Sequence, residues 1–115
     1  MSKNYNKQKG ETIFTTGRQP KPIKIENIVY IDKCKNISII HLNNKYEVLD
    51  TKTLDTFEKE LVEFGFVRIH KKNIINGKYI SEIGNENKKK YVQLEDIRLH
   101  IAKERIGFFN NWLLE

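Results

Sequence analysis

The chain of 115 residues has one cysteine, two prolines, one tryptophan and no long apolar run. Cys34, being alone, cannot close an intrachain disulfide, so the fold must rest on a packed core. His41, His70 and His100 lie about thirty residues apart, and no Cys/His spacing resembles a zinc site. No stretch approaches the ~20 apolar residues that a membrane-spanning helix needs. The first residues, MSKNYNKQKG, lack the apolar centre of a secretory signal. Together these absences predict a cytoplasmic protein with no metal, other cofactor or membrane association. Enzyme signatures are missing too: there is no Gly-rich phosphate loop, no GxSxG and no HExxH. Ser2, Ser38 and Ser81 are the only serines, and the last two fall within predicted strands. The chain is therefore read as a non-enzyme.

What is present suits one modest globular domain: 38% of residues are hydrophobic and 31% charged. The net charge of +6 is unevenly placed. Residues 1–24 hold six basic residues against Glu11, or +5, leaving 15 basic minus 14 acidic, or +1, for the rest. A basic arm on a nearly neutral body fits a nucleic-acid partner, since phosphates attract Lys and Arg and release counterions. It fits a solubilising tail equally well. Residues 1–11 are read as a flexible arm and residues 12–115 as the domain.

The pattern along the domain is mainly β. Residues 12–16 (TIFTT) predict a first strand, and Pro20 and Pro22 mark an extended crossing segment. Residues 28–32 (IVYID) predict a strand buried on both faces, followed by strands over residues 36–42 and 45–49. The period then changes. Leu54, Phe57, Leu61 and Phe64 line one face of a helix over residues 53–64, with Thr53 as N-cap and Gly65 as terminator. Asp55, Glu58, Glu60 and Glu63 form its acidic face, expected to point away from any DNA. Short strands follow over residues 66–69, 79–83 and 91–94, with residues 84–90 (GNENKKK) as a polar loop. Residues 99–101 suggest a last strand, and residues 103–114 a short terminal helix.

The most informative segment is residues 66–80, FVRIHKKNIINGKYI. It carries Arg68, His70, Lys71, Lys72 and Lys78 with no acid, interleaved with apolar residues. Short strands with buried Ile would hold the His–Lys–Lys turn outward, offering donors to base edges and charge to phosphates. The competing reading is a core histidine beside a solvated lysine edge.

This segment resembles the LytTR family of DNA-binding domains, whose pattern is aromatic-x-Arg-Ile-His-basic-x-x-apolar-apolar-Asn-x-x-Tyr-Ile. Phe66, Arg68, Ile69, His70, Lys71, Ile74, Ile75, Asn76, Tyr79 and Ile80 match it. IENIVYIDKCKN, LDTKTLDTFEKEL and LHIAKERIGFF resemble other family segments in the same order, covering about residues 12–113. The resemblance implies an elongated stack of short antiparallel β-sheets with one main helix and a short C-terminal helix. It implies sequence-specific binding of double-stranded DNA in bacterial transcription regulation, through loops inserted into the grooves. Carried over, the first contact loop holds Lys33, Lys35 and Asn36, with Asn36 the base reader. The second holds His70, Lys71 and Lys72, flanked by Arg68. The third spans residues 100–105, with Lys103 or Arg105 near bases or backbone. Arg68 and Asn76 have a second reading, as residues that hold the loop. His41, Tyr30 and Tyr79 read as structural.

The sequence departs from the family at Lys103 and Glu104, which stand where an Arg pair is usual. Glu104 would repel phosphate unless it pairs with a neighbour. No receiver domain precedes the module in this sequence; its Met1 and arm suit a stand-alone regulator, though a cut-out domain fits as well. Further expectations are two copies on repeated half-sites and an upstream sensor or receiver protein. The alternatives are a protein-interaction module that retained the fold, and RNA binding through the arm and exposed tyrosines.

Overall fold

A computed structural model describes residues 11–115; the expected arm lies almost wholly outside them. Among the described residues ten strands form three antiparallel sheets, accompanied by two α-helices. Strands β1 (Thr12–Phe14) and β2 (Pro22–Lys24) pair as a small ribbon. Strands β3 (Ile28–Cys34), β4 (Ile37–Leu42), β5 (Glu47–Asp50), β6 (Phe66–His70) and β7 (Asn73–Asn76) build a five-stranded sheet in the order β5-β4-β3-β7-β6. Strands β8 (Ile80–Glu86), β9 (Lys89–Leu94) and β10 (Ile97–His100) form the third sheet. The described residues extend 44 × 33 × 24 Å, the elongated β stack expected.

Helix α1 (Leu54–Leu61) forms where the spacing predicts it. The Thr53 hydroxyl accepts from the Thr56 N–H, as an N-cap should. Leu54, Phe57 and Leu61 are buried against the five-stranded sheet. Each contributes roughly 1.5–3 kcal/mol, more than the ~1 kcal/mol of the cap, so packing decides the helix. The last turn tightens into a 3-10 turn, Val62–Phe64, and Gly65 ends it at φ 85°. Helix α2 (Ile106–Leu113) buries Phe109 and Trp112 and is preceded by a 3-10 turn, Lys103–Arg105.

Two cores lie on opposite faces of the large sheet. One joins α1 and the β1–β2 ribbon to Ile31, Ile40, Phe66 and Ile74. The other joins Val67, Ile69 and Ile75 to β9, Ile101 and α2. This explains why residues 28–31 carry little alternation: Ile28 and Ile31 enter the first core and Val29 the second. Asn76 is fully buried between them; its amide donates to the Ile28 carbonyl at 2.9 Å and its oxygen accepts from the Lys78 N–H at 3.2 Å.

Two expectations change in detail. Pro22 lies in a paired strand rather than a crossing segment, which an edge position permits. Residues 84–90 are not one long loop: β8 runs to Glu86, β9 restarts at Lys89, and only Asn87 and Lys88 make the turn. Both have positive φ, 53° and 66°, as a type I′ hairpin turn requires.

Candidate nucleic-acid interface

Antiparallel pairing brings the predicted contact loops to one end of the molecule. Cys34 pairs with Ile37, so Lys35 and Asn36 form a two-residue turn between β3 and β4. His70 pairs with Asn73, so Lys71 and Lys72 form the turn between β6 and β7. Because β3 runs antiparallel to β7, with Asp32 opposite Asn73, both turns share an end. The Lys33 N–H donates to the Lys72 carbonyl at 2.9 Å, joining first loop to second. The Ala102 N–H donates to the Ile69 carbonyl at 2.8 Å, joining third loop to second. The Ile101 N–H donates to the Lys90 carbonyl at 2.8 Å, tying the third loop to the β8–β9 hairpin. Lys33, Lys35, Asn36, Lys71, Lys72 and Lys103 are exposed along this row.

His70 has a defined orientation. The Lys72 backbone N–H, which can only donate, lies 3.1 Å from His70 Nδ1. Nδ1 is therefore the acceptor, and the proton of the neutral ring sits on Nε2. A Nε2–H held in this way can donate to a guanine or thymine acceptor or to a phosphate oxygen.

Arg68 and Arg105 sit differently from the lysines. Arg68 Nε donates to the His70 carbonyl at 3.3 Å and Nη2 to the Lys71 carbonyl at 2.6 Å. Its Nη1 meets Asp55 and, at 3.2 Å, Glu58. Arg105 donates through Nε to the Arg68 carbonyl and through Nη2 to the second Glu58 oxygen, both at 3.2 Å. Glu58 thus bridges the two guanidiniums. Part of the acidic face of α1 therefore turns toward the contact row, contrary to the sequence expectation. The Arg68 hydrogen bond and charge hold the Asp55 carboxyl below its ordinary range. A β-bulge between Arg68 and His70 helps aim the loop.

An open cleft of about 710 Å³ separates the second loop from the β8–β9 hairpin. His70, Lys71, His100, Lys103 and Glu104 line it, with Lys88, Lys89 and Lys90 opposite. Sequence reasoning assigned no role to the hairpin lysines, because a polar run between strands reads as a solvated loop. The signal available was the unbroken Lys88–Lys89–Lys90 run. Glu104 is exposed on the cleft rim, and no ion pair involving it occurs among the described residues.

The remaining flagged residues lie elsewhere. His41 stacks on Tyr30 at 4.0 Å and sits between Asp32 (2.9 Å) and Glu47 (3.4 Å). Burial, then the charge of Asp32, pushes the Tyr30 phenol up to about 12. The Tyr79 hydroxyl donates to the Glu26 carbonyl at 2.7 Å. These are structural placements. Cys34 is exposed beside the first turn. Among the described residues, no His/Cys/Asp/Glu group suits a metal and no helix is long and apolar enough to cross a membrane.

Comparison with known proteins agrees with this fold. The backbone superimposes on the LytTr DNA-binding domain of a putative methyl-accepting/DNA response regulator from Bacillus cereus. The TM-score is 0.76 at 15% identity, over 89% of this chain and 95% of that one. At that identity the likeness establishes the fold. The transcriptional regulatory protein LytR of Staphylococcus aureus strain N315 is 42% identical over 62 residues, 53% of this chain, and the strain USA300 protein matches to the same extent. Those matches span only 24% of each relative's length. The family profile described as the LytTr DNA-binding domain matches residues 19–113. Taken with the fold, a profile match running over nearly all of the described residues means that the chain belongs to the LytTr DNA-binding domain family.

Proposed function

We propose that this chain binds double-stranded DNA in a sequence-specific manner and serves transcription regulation, acting by binding rather than by catalysis. The observation that carries this reading is the single row of basic loops, joined by backbone hydrogen bonds at one end of the fold. In it, Asn36 and Lys71 read base edges and His70 donates through Nε2. Lys33, Lys35, Lys72 and Lys103 meet bases or phosphates. Arg68 and Arg105 act by holding the second and third loops, through the carbonyl and Glu58 contacts that occupy them. Residues 12–115 form the binding domain and residues 1–11 add sequence-independent affinity. The protein works in the cytoplasm, as two copies on repeated half-sites, under an upstream sensor or receiver.

Fluorescence anisotropy on random-sequence duplex DNA across a salt series tests the reading. The expected result is a steep loss of affinity with salt, with a slope near −0.9 per phosphate contact. On a duplex selected from that pool, Lys71→Ala and Asn36→Ala should each weaken binding by about 1–3 kcal/mol. Unchanged affinity in both folded variants would remove these loops from the interface. A second reading, a protein-interaction module, draws on Glu104 at the cleft rim. Absence of salt-dependent DNA binding, with capture of a defined protein partner, would favour it. Preference for single-stranded RNA in a competition experiment would point to RNA instead.

A further inference from the structure

The β8–β9 hairpin projects beyond the strand that flanks it. His100 at the end of β10 pairs with Tyr91, and Ile101 bonds back to Lys90, so the turn at residues 87–88 lies past the end of β10. The tip forms one wall of the open cleft whose other walls carry Lys71 and Lys103. Five lysines line this cleft against one carboxylate, Glu104. Lys90 is committed: its ammonium donates to Asn110 Oδ1 at 2.7 Å, which fastens the hairpin to α2. Lys71, Lys88, Lys89 and Lys103 have no ion pair among the described residues.

The turn itself is informative. Asn87 suits its positive φ, but Lys88 at φ 66° holds a conformation that glycine adopts without strain. Lys35 and Lys45 hold positive φ as well, so what sets Lys88 apart is its place on the cleft wall, on a two-residue turn. Lysine is a compact point charge without the planar fork that reads a base edge in two places. An array of such charges at the flank of the base-reading row suits phosphate oxygens.

We propose that the β8–β9 hairpin is a fourth DNA-contact element, a phosphate clamp. In it, Lys88 and Lys89 meet the sugar-phosphate backbone of a duplex from the hairpin side of the cleft, beside the row in which Lys71 reads a base edge. This rests on the duplex-binding reading above and adds to it an element outside the three predicted loops. The clamp supplies affinity and register without reading sequence.

The test uses the full chain and two 20-base-pair duplexes, one selected for tight binding and one random. The variant is Lys88→Asn/Lys89→Gln, chosen because Asn tolerates positive φ; circular dichroism and urea midpoints verify that it folds. The expected result is a salt slope shallower by about 1.8, from two phosphate contacts at 0.9 each. The affinity ratio between selected and random duplex should stay within about twofold of the wild-type ratio. Lys89→Glu should weaken both duplexes further and equally. An unchanged slope in the folded double variant, beside a wild-type protein that binds DNA, overturns the clamp and leaves the function standing. A collapse of the selected-to-random ratio also overturns it, because the hairpin would then be reading bases. Failure of the wild-type chain to bind either duplex overturns both proposals together.

Discussion

Replacing Arg68 by lysine keeps the charge and removes the geometry. The guanidinium now serves the His70 carbonyl at 3.3 Å, the Lys71 carbonyl at 2.6 Å and two carboxylates of α1. A lysine ammonium offers three donors from one atom and cannot span both carbonyls and both acids. Hydrogen bonds from a charged donor contribute about 1.5–3 kcal/mol each. The Asp55 pair adds little, because that carboxylate is 80% exposed and well solvated. The carbonyl contacts matter more, since the Arg68 side chain is only 15% exposed. With water recovering part of the loss at the exposed Lys71 turn, Arg68→Lys should cost about 2 kcal/mol. In urea, with an m-value near 2 kcal/mol/M, the midpoint should fall by about 1 M. A double-mutant cycle on DNA affinity then separates positioning from contact. If Arg68 acts by holding the turn, Lys71→Ala should lose less than half as much binding in the Arg68→Lys background as in the wild type. An unchanged midpoint together with additive binding losses would refute the positioning role and make Arg68 a direct contact.

Two more predictions follow from groups outside the contact row. Asn76→Ala should destabilise the fold by about 1–3 kcal/mol in urea, because it strands the buried Ile28 carbonyl, while the Lys78 N–H lies near the surface where water can reach it; a loss under about 0.5 kcal/mol would mean that water replaces the amide at Ile28 as well. Arg68 beside Asp55, and Lys45 beside Asp96, hold those carboxyls below their ordinary value of 3.8. A depressed folded pKa gives stability that is complete above the ordinary value and is lost as pH falls through the lower one. Urea midpoints should therefore fall slightly as pH drops below 3.8, since both carboxylates are well exposed, and Asp55→Asn/Asp96→Asn should remove that small part of the acid sensitivity; an identical pH profile in the double variant would assign it to other carboxylates.

Much of the architecture could be read from residue patterns because those patterns are set by burial. Leu54, Phe57 and Leu61 recur at helical spacing because one face of α1 meets the sheet. The two-sided run at residues 28–31 feeds two cores, which is why it lacks alternation. Exposed backbone was harder to read. The ends of β8 and β9 are polar because they extend into solvent, so their composition resembled a loop although they are paired to Glu86 and Lys89. The candidate contact loops are marked in the sequence by the residues that hold them, among them Asn76 and the isoleucines of β7, more than by the lysines at their tips. The bridge from Glu58 to Arg68 and Arg105 was hidden for another reason. It joins residues 10 and 47 positions apart, and only the docking of α1 against β6 brings them together.

The backbone hydrogen bonds that tie Lys33 to Lys72, Ile69 to Ala102 and Lys90 to Ile101 have a mechanical consequence. Moving one loop so tethered away from its neighbour costs a backbone hydrogen bond of about 1 kcal/mol. A module so built resembles a rigid key whose teeth are cut at fixed intervals, and its substrate must supply the compliance. DNA whose grooves do not match must bend or twist to engage it, at an energy set by the stacking of base steps that no side chain touches. Such a protein would rank sites by how easily they deform as well as by the letters it reads, and a stiff tract between two well-matched contacts would weaken a site.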